Sequence, residues 1–389
     1  MKTREIKTEQ LEKSISSLGK WVEDHEYKSY EPFDGLSSFL HGITFNCQFA
    51  ERILQQVVLR SPLNIRPLIG IKPKESTKGR GYMARGYLSM MSINGFDTYR
   101  QNAVNNLNWL MKNKAPGYEE YSWGNHFPFS SRAFQLKSQE PIIVWSSLIG
   151  QSFLDAFELL GNIEYLDVSR SICRWILSLP RESTSQGFCI SYIYPHQISI
   201  HNSNMLGAAL LARTALFAEN TEYLDVAKQA MEYSCSRQLE NGAWYYGEEP
   251  KYHWIDNFHT GYNLVSLKTY MTATGDGQYR DNLTKGFTYF KNTFFEENGA
   301  PRYYHNSTYP IDIQCAAQAI ETLNEFIDID PQALDLAYKV ASWTISNMQD
   351  KNGFFYYRVL PYMKVKTPML HWGQATMYRA LTALLRSIQ

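Results

Sequence analysis

Residues 241–262 read NGAWYYGEEPKYHWIDNFHTGY, a stretch that combines two Trp, two His, two Glu and one Asp with several Tyr side chains. It lies between two segments with the apolar periodicity of helices. Asn-Gly followed by alternating aromatic residues predicts a turn into a short strand. The pattern returns at 298–304 (NGAPRYY) and 352–357 (NGFFYY), and more loosely at 186–188 (QGF). The chain is therefore expected to consist of weakly similar copies of one unit.

A second pattern marks the openings of five helices. Tyr99, Tyr165, Tyr223, Tyr279 and Ala333 hold equivalent places, and subtraction of their numbers gives spacings of 66, 58, 56 and 54 residues. Ten residues after each comes a large aromatic residue: Trp109, Trp175, Tyr233, Tyr289 and Trp343. Ten residues is close to three helical turns, so each pair lies on one helix face and is interpreted as packing. Leu11 and Trp21 repeat the spacing near the N terminus.

Each of these helices follows another helix that is rich in small and apolar residues. Six such inner helices are predicted, over about 81–94, 142–161, 202–219, 258–275, 311–328 and 371–388. The turns from inner to outer helix are short, whereas the returns are long and carry the aromatic residues. Six inner helices need six outer helices, but only five outer helices follow them in the sequence. An N-terminal helix over about 7–22 can take the sixth outer position. The pattern predicts an all-α (α/α)6 toroid over residues 1–389, closed by that helix, with 23–80 as an extra arm.

All the long loops then lie on one rim, where the inner helices begin and offer unpaired N–H groups. Short β-hairpins are expected in these loops, one of them within 187–204 because its residues alternate between apolar and polar.

Composition excludes several classes of function. The 389 residues are 44% hydrophobic and 14% aromatic, with 38 basic and 38 acidic side chains and a formal net charge of +0. Nothing therefore indicates a nucleic-acid or membrane surface. The N terminus lacks an apolar segment, and no run approaches transmembrane length. A cytoplasmic protein without a cofactor is expected, and its oligomeric state stays open.

The cysteine pattern agrees with a reducing compartment. The five Cys are scattered, form no CxxC pair and are interpreted as buried thiols.

Glycosidic bond cleavage needs two carboxyl groups on opposite sides of the scissile bond. The rim offers Asp256, whose neighbours Trp254 and Phe258 are expected to raise its pKa by desolvation, and Asp312 or Asp34 as its partner. Each of these Asp residues could instead be a helix N-cap or a turn residue.

Three inner helices begin with a similar sequence, which places His201, His259 and His371 at equivalent positions around one axial pocket. A zinc site is the rival interpretation, but no HxxxH or HExxH spacing occurs, and no metal is predicted. His259 is grouped with Asp256, Asp312 and Asp34 as a candidate catalytic residue. Aromatic rings that stack on a pyranose, with polar groups for its hydroxyls, complete the predicted site. The predicted substrate-binding residues are Trp123, His126, His201, Asn204, Tyr246, Trp254, Tyr262, Arg302, Tyr304, Arg358, His371 and Gln374.

Six α-hairpins with aromatic-lined loops on one rim resemble the six-hairpin carbohydrate-active superfamily. The resemblance extends to unsaturated glucuronyl hydrolases and to the related toroids of uronyl C5-epimerases and N-acylglucosamine 2-epimerases. The stretches YEPFDGLSS (30–38), GAWYYG (242–247) with WIDNFHTGY (254–262), and YPIDIQ (309–314) are also similar to a bacterial group that travels with polysaccharide enzymes. The resemblance implies a poly- or oligosaccharide substrate, but the superfamily hosts unlike chemistries and fold alone does not choose among them.

Three functions follow as alternatives. The first, which the sequence favours over the other two, is a glycoside hydrolase that uses the paired carboxylates. The second is uronate C5 epimerisation or lyase elimination, in which a Tyr, His or Glu removes a proton while Arg302 or Arg358 neutralises the substrate carboxylate. The third is a non-catalytic glycan-binding component of polysaccharide biosynthesis.

Overall fold

The computed structural model describes residues 2–131 and 134–389. Its α-helices are α1 (Lys2–Asp24), α2 (Gln48–Arg60), α3 (Thr77–Asn94), α4 (Asp97–Lys112), α5 (Ile143–Leu160), α6 (Ile163–Leu177), α7 (His201–Ala218), α8 (Thr221–Cys235), α9 (Asn257–Thr274), α10 (Arg280–Thr293), α11 (Ile313–Glu325), α12 (Gln332–Met348) and α13 (Thr376–Ile388). A π-helical segment, Leu370–Ala375, leads directly into α13.

The inner ring consists of α3, α5, α7, α9, α11 and α13, and each packs against the next, with α13 packing against α3. Small residues let the helices approach closely. A Cβ on Gly150 would lie 2.5 Å from the side chain of Leu210, and one on Gly207 would lie 2.6 Å from that of Ile143. The six predicted inner helices are confirmed, with three differences at their ends. Helix α3 begins four residues before the expected residue 81, α11 ends at Glu325, and α13 begins at Thr376 because the expected first turn is π-helical.

Each of the first five inner helices is followed by an outer helix that packs on it, in the pairs α3–α4, α5–α6, α7–α8, α9–α10 and α11–α12. The aromatic residues ten positions into these outer helices are buried or packed against the core, as Trp175 and Tyr233 illustrate. The all-α fold and the packing role of these aromatic residues therefore agree with the repeat seen in the sequence.

The glycines of the Asn-Gly turns need a backbone that other residues rarely adopt. Gly242 and Gly353 have φ of 92° and 100°. A Cβ would lie 2.4 Å from the Lys285 carbonyl oxygen of α10 at Gly242, and 2.3 Å from the Ser17 carbonyl oxygen of α1 at Gly353. Helix α1 also packs against α12 and α13. These contacts agree with closure of the outer ring by α1, which stays a prediction.

Short strands occur in the rim loops. The strands are β1 (Phe129–Ser130), β2 (Gln135–Leu136), β3 (Arg181–Thr184), β4 (Gly187–Ile190), β5 (Ile311–Asp312), β6 (Arg358–Val359) and β7 (Lys364–Val365). They form the antiparallel pairs β1–β2 and β3–β4 and the three-stranded sheet β5–β6–β7. The hairpin expected within 187–204 is wrong in its location, because the turn at Gly187, with φ of 80°, pairs β4 with the preceding segment.

The arm between α1 and α3 folds over part of the rim. It contains α2 and three short 3-10 turns, and it is fixed by a buried ion pair in which Arg66 Nε lies 2.8 Å from Asp34 Oδ1. The predicted arm boundary at residue 80 falls inside α3.

The expectation that all five Cys are buried thiols is correct for four of them. None of the five Cys forms a disulfide, and four are buried, but Cys47 is exposed.

Among the described residues, only α5 is long and apolar enough to cross a membrane. It is an inner helix of the ring with 67% of that window buried. Cytoplasmic location stays a prediction.

Candidate functional site

A cavity of about 490 Å³, here called the rim cavity, opens where the inner helices begin. One side is formed by the arm through Phe33, Gln56, Leu59 and Arg60. The remaining lining includes Lys78, Trp145, Asn202, Tyr246, Trp254, His259, Tyr262, Tyr303, Tyr304, Arg358, His371 and Trp372. Over the described part of the chain, the lining holds several bases and cations but no carboxylate.

Aromatic rings form much of the wall. Tyr246 and Trp254 stack with 4.4 Å between ring centroids and an interplanar angle of 16°. Tyr304 keeps 38% of its surface exposed at the opening, and Trp372 meets Phe258 edge to face at 5.3 Å. Such surfaces suit the apolar face of a pyranose ring.

Asp256 and His259 form a dyad at the start of α9. Asp256 is the buried N-cap, and its Oδ1 accepts the His259 backbone N–H at 3.0 Å. Its Oδ2 lies 2.7 Å from His259 Nδ1 and accepts the Trp254 indole N–H at 3.0 Å. Because a carboxylate only accepts, Nδ1 carries a proton, and in the neutral imidazole Nε2 is then the nitrogen with the lone pair. His259 therefore presents a basic nitrogen to the rim cavity.

Asp312 holds the equivalent place one repeat later. It is the fully buried N-cap of α11, and its Oδ1 accepts the Gln314 backbone N–H and the Trp372 indole N–H, both at 2.8 Å. Its Oδ2 accepts from Arg358 Nε at 2.5 Å. Asp312 does not line the rim cavity, but it holds Arg358 and Trp372, which do.

The two Asp residues thus act alike. Each caps an inner helix, accepts an indole N–H and fixes a basic side chain of the cavity. Neither Asp256 nor Asp312 belongs to the lining of the rim cavity itself. A paired role as hydrolytic acids stays a prediction, and the structure does not bring their carboxyl groups to the cavity surface.

The floor of the cavity is made by Lys78 and Tyr262. The Tyr262 hydroxyl receives hydrogen bonds from Lys78 Nζ at 3.3 Å and Gln314 Nε2 at 3.0 Å, and it lies 3.1 Å from the Tyr82 hydroxyl. The Lys78 ammonium lies 4.8 Å from the centre of a Trp145 ring. Burial lowers the pKa of Lys78 to about 7.

His371 lies in the wall beside the buried Glu31. Glu31 Oε1 accepts the His371 backbone N–H at 2.9 Å and lies 2.7 Å from His371 Nδ1. Burial raises the pKa of Glu31 to about 7, and burial holds the pKa of His371 well below its usual range.

Several predicted binding residues lie away from the rim cavity. Trp123 is buried in the core, where its indole N–H donates to the Leu110 carbonyl and its ring stacks on Phe153. His126 lines a separate cavity of about 300 Å³, and burial lowers its pKa to about 4. Arg302 pairs with Glu296 at 2.9 Å outside the rim cavity. Asp34, proposed as a catalytic partner, is held by Arg66 in the arm.

Three further predicted residues hold loops to helices. His201 Nε2 lies 2.7 Å from Glu248 Oε1. The Asn204 amide bonds the backbone of Ile190 and Ala230, and the Gln374 amide bonds both backbone groups of Phe355. Of the predicted set, Tyr246, Trp254, His259, Tyr262, Tyr304, Arg358 and His371 line the rim cavity together.

Lys78 and Trp145 are lining residues that the sequence analysis did not identify. Inner helix one is predicted to begin at residue 81, which places Lys78 in the arm. In the structure, Lys78 lies in the first turn of α3. The signal was a Lys within the small-residue run STKGRGY (76–82), two residues after the N-cap Ser76, whereas His259 lies three residues after the N-cap Asp256. Trp145 likewise lies in the first turn of α5.

Metal binding gains no support from the described residues, since no group of three or more His, Cys, Asp or Glu in residues 2–131 and 134–389 is arranged to hold an ion.

Comparison with known proteins gives matches in structure only. No protein-family model and no curated protein matches the sequence. Cellobiose 2-epimerase from Bacillus thermoamylovorans is similar with a TM-score of 0.62 and 11% identity, over 80% of this chain and 87% of that one.

Two glycoside hydrolases are similar to a comparable degree. The family 76 α-mannanase of Bacteroides thetaiotaomicron gives a TM-score of 0.62 and 12% identity, over 80% of this chain and 86% of that one. A family 88 glycosyl hydrolase from Bacteroides vulgatus gives a TM-score of 0.57 and 12% identity, over 79% of this chain and 91% of that one. The chain therefore has the six-hairpin (α/α)6 toroid fold that these epimerases and glycoside hydrolases share.

Proposed function

We propose that this chain is a carbohydrate-active enzyme that moves a proton on a uronate sugar held in the rim cavity, by C5 epimerisation or by the related lyase elimination. The observation that carries the proposal is the His259–Asp256 dyad, which presents a basic imidazole to a cavity whose described lining holds no carboxylate. The structural neighbours support a saccharide as substrate, since they are named as epimerases and glycoside hydrolases.

Proton removal from C5 of a uronate requires a base and a cation that stabilises the enolate formed at the carboxylate. His259 Nε2 is suited to be the base because Asp256 fixes the opposite nitrogen as N–H and stabilises the imidazolium that forms. Arg358 is suited to hold the substrate carboxylate. Its Nε is bound to Asp312, and in residues 2–131 and 134–389 its other two nitrogens have no hydrogen-bond acceptor.

Tyr246, Trp254 and Tyr304 would hold the ring of the sugar next to these groups. Because Trp254 also donates to Asp256, the binding surface and the catalytic dyad are joined by a hydrogen bond. This link makes the position of the sugar and the orientation of His259 interdependent.

Hydrolysis by paired carboxylates remains the second candidate, favoured by the glycoside hydrolases among the structural neighbours. It would require Asp256 or Asp312 to be released from the three hydrogen bonds that each accepts. A glycan-binding protein without catalytic activity is the third candidate.

One experiment separates the three. The pure protein is incubated in D2O with glucuronate-, mannuronate- and guluronate-containing oligosaccharides, and products are followed by NMR and mass spectrometry. Deuterium at C5, as expected of epimerisation, or a product with a new C4–C5 double bond, as expected of elimination, supports the proposal. Saturated new reducing ends without deuterium at C5 would favour hydrolysis, and binding without any product would favour a non-catalytic role.

A further inference from the structure

The inner ring places Lys78 across the rim cavity from His259. In the order of the ring, which is α3, α5, α7, α9, α11 and α13, α9 stands three helices away from α3 in either direction. His259 lies in the first turn of α9 and Lys78 in the first turn of α3, and both line the cavity. The two side chains therefore enter the cavity from opposite sides of the ring, and the Lys78 amine meets the Tyr262 hydroxyl at the floor.

Lys78 is an unusual side chain for such a place. It is 3% exposed, and no carboxylate of the described residues lies within ion-pair distance of its amine. Its contacts are the Tyr262 hydroxyl and the faces of Trp145, Tyr82 and Tyr262. Buried Lys residues are normally paired, because an isolated ammonium loses its hydration without compensation.

The surroundings make the amine easy to deprotonate while holding it in position. Desolvation lowers the pKa of Lys78 to about 7, and the more distant Glu31 and Glu321 oppose the shift. An amine with this pKa can give or take a proton near neutral pH, which a fully paired surface Lys cannot. Arg358, by contrast, keeps its charge, so it is suited to hold the substrate carboxylate and its enolate but not to transfer a proton.

We propose that Lys78 is the second proton-transfer residue of this site and serves the face of the sugar opposite to His259. The inference rests on the proposed function. In one direction, His259 Nε2 takes the C5 proton, and the electron pair of the C–H bond passes into the enolate of the substrate carboxylate. The Lys78 ammonium then donates a proton to the opposite face of C5, and that electron pair forms the new C–H bond. The imidazolium and the neutral amine afterwards exchange protons with solvent, and the reverse reaction exchanges the two roles.

The test uses pairs of C5 epimers in D2O: methyl glycosides of D-glucuronate and L-iduronate, and of D-mannuronate and L-guluronate. Lys78→Gln removes the amine, and Lys78→Arg keeps the charge but cannot release a proton. Lys74→Arg, at an exposed Lys four residues earlier, is the matched control.

The wild type and the control should exchange the C5 proton of both members of a pair. Both Lys78 variants should still exchange the epimer whose C5 proton faces His259, but lose about 100-fold or more on the other epimer. His259→Gln should show the opposite preference. The ratio between epimers does not depend on how much of a variant is folded, so incomplete folding cannot imitate the result.

Equal losses on both epimers, or wild-type exchange in both Lys78 variants, would overturn the role of Lys78 and leave the proposed function intact. A wild type that exchanges neither member of either pair would instead overturn the proposed function, and the role of Lys78 with it.

Discussion

Replacing Asp256 by Asn changes little in shape but reverses the hydrogen bonding of the dyad. Asn is a good N-cap, so its oxygen can still accept the His259 backbone N–H. Its amide nitrogen then faces two donors, the Trp254 indole N–H and His259 Nδ1–H. The imidazole escapes this conflict by moving its proton to Nε2, so the nitrogen that faces the cavity becomes a donor and can no longer remove a proton.

The size of the effect follows from these contacts. Loss of the correct tautomer should lower the rate of C5 proton exchange about 10⁴-fold, the loss seen when the carboxylate of a Ser-His-Asp triad becomes an amide. Leaving the Trp254 indole without an acceptor should cost about 1–3 kcal/mol of unfolding free energy. The loss should lie in kcat, because the sugar-binding surface is retained.

The assay is deuterium incorporation at C5, with unfolding followed by circular dichroism. Asp312→Asn is the matched control, since Asp312 is also an N-cap and also accepts an indole N–H. It should lose similar stability, and by loosening Arg358 it should raise KM and lower kcat, but by far less than the roughly 10⁴-fold loss expected of Asp256→Asn. Exchange by Asp256→Asn within about tenfold of wild type, a difference of about 1.4 kcal/mol in the barrier, would refute the role of the dyad.

Three further predictions concern binding, pH dependence and packing. Trp254→Ala should weaken binding of a uronate oligosaccharide about tenfold or more in calorimetry, because a stacking face of about 0.5–1.5 kcal/mol and its buried area are both lost; unchanged affinity would remove Trp254 from the site. Burial raises the pKa of Glu31 from 4.5 to about 7, so the folded state binds this proton more tightly and loses stability as pH rises through that interval. Glu31→Gln should therefore raise Tm at pH 8 but not at pH 4, and an equal change at both would contradict the assignment. Gly353→Ala places a Cβ against Ser17 of α1 and should cost about 1–3 kcal/mol more than Gly95→Ala, where nothing lies within 4 Å; equal costs in denaturant unfolding would mean that α1 does not pack at that turn.

The fold could be predicted because its signals are local and repeated. The spacing of Tyr165 and Tyr223, the aromatic residues ten positions later and the Asn-Gly turns each recur, so errors in one repeat are corrected by the others. The hairpin near Gly187 was misplaced because alternation marks a strand without naming its partner. The partner is chosen by the turn, which here folds β4 back onto β3.

The site was predictable only in part, because a rim position does not reveal which way a side chain points. His201 and His259 hold similar places in sequence, yet one is turned to Glu248 in a loop and the other to the cavity. Asp256 and Asp312 were correctly placed at helix starts, and Trp254 could be predicted as a neighbour of Asp256 because it lies two residues earlier. The partners of Asp312 could not, because Arg358 and Trp372 come from the next rim loop. Lys78 was missed through a four-residue error in a helix start.

The central claim is that His259 Nε2 faces C5 of a bound uronate. The most direct measurement is a crystal structure of the Asp256→Asn variant with a uronate oligosaccharide chosen by the exchange assay. In this complex His259 Nε2 should lie about 3–3.5 Å from C5, the separation of reacting atoms in a near-attack geometry, with the substrate carboxylate against Arg358. A sugar whose glycosidic oxygen lies against residue 256 or Asp312, with C5 turned away from His259, would contradict it.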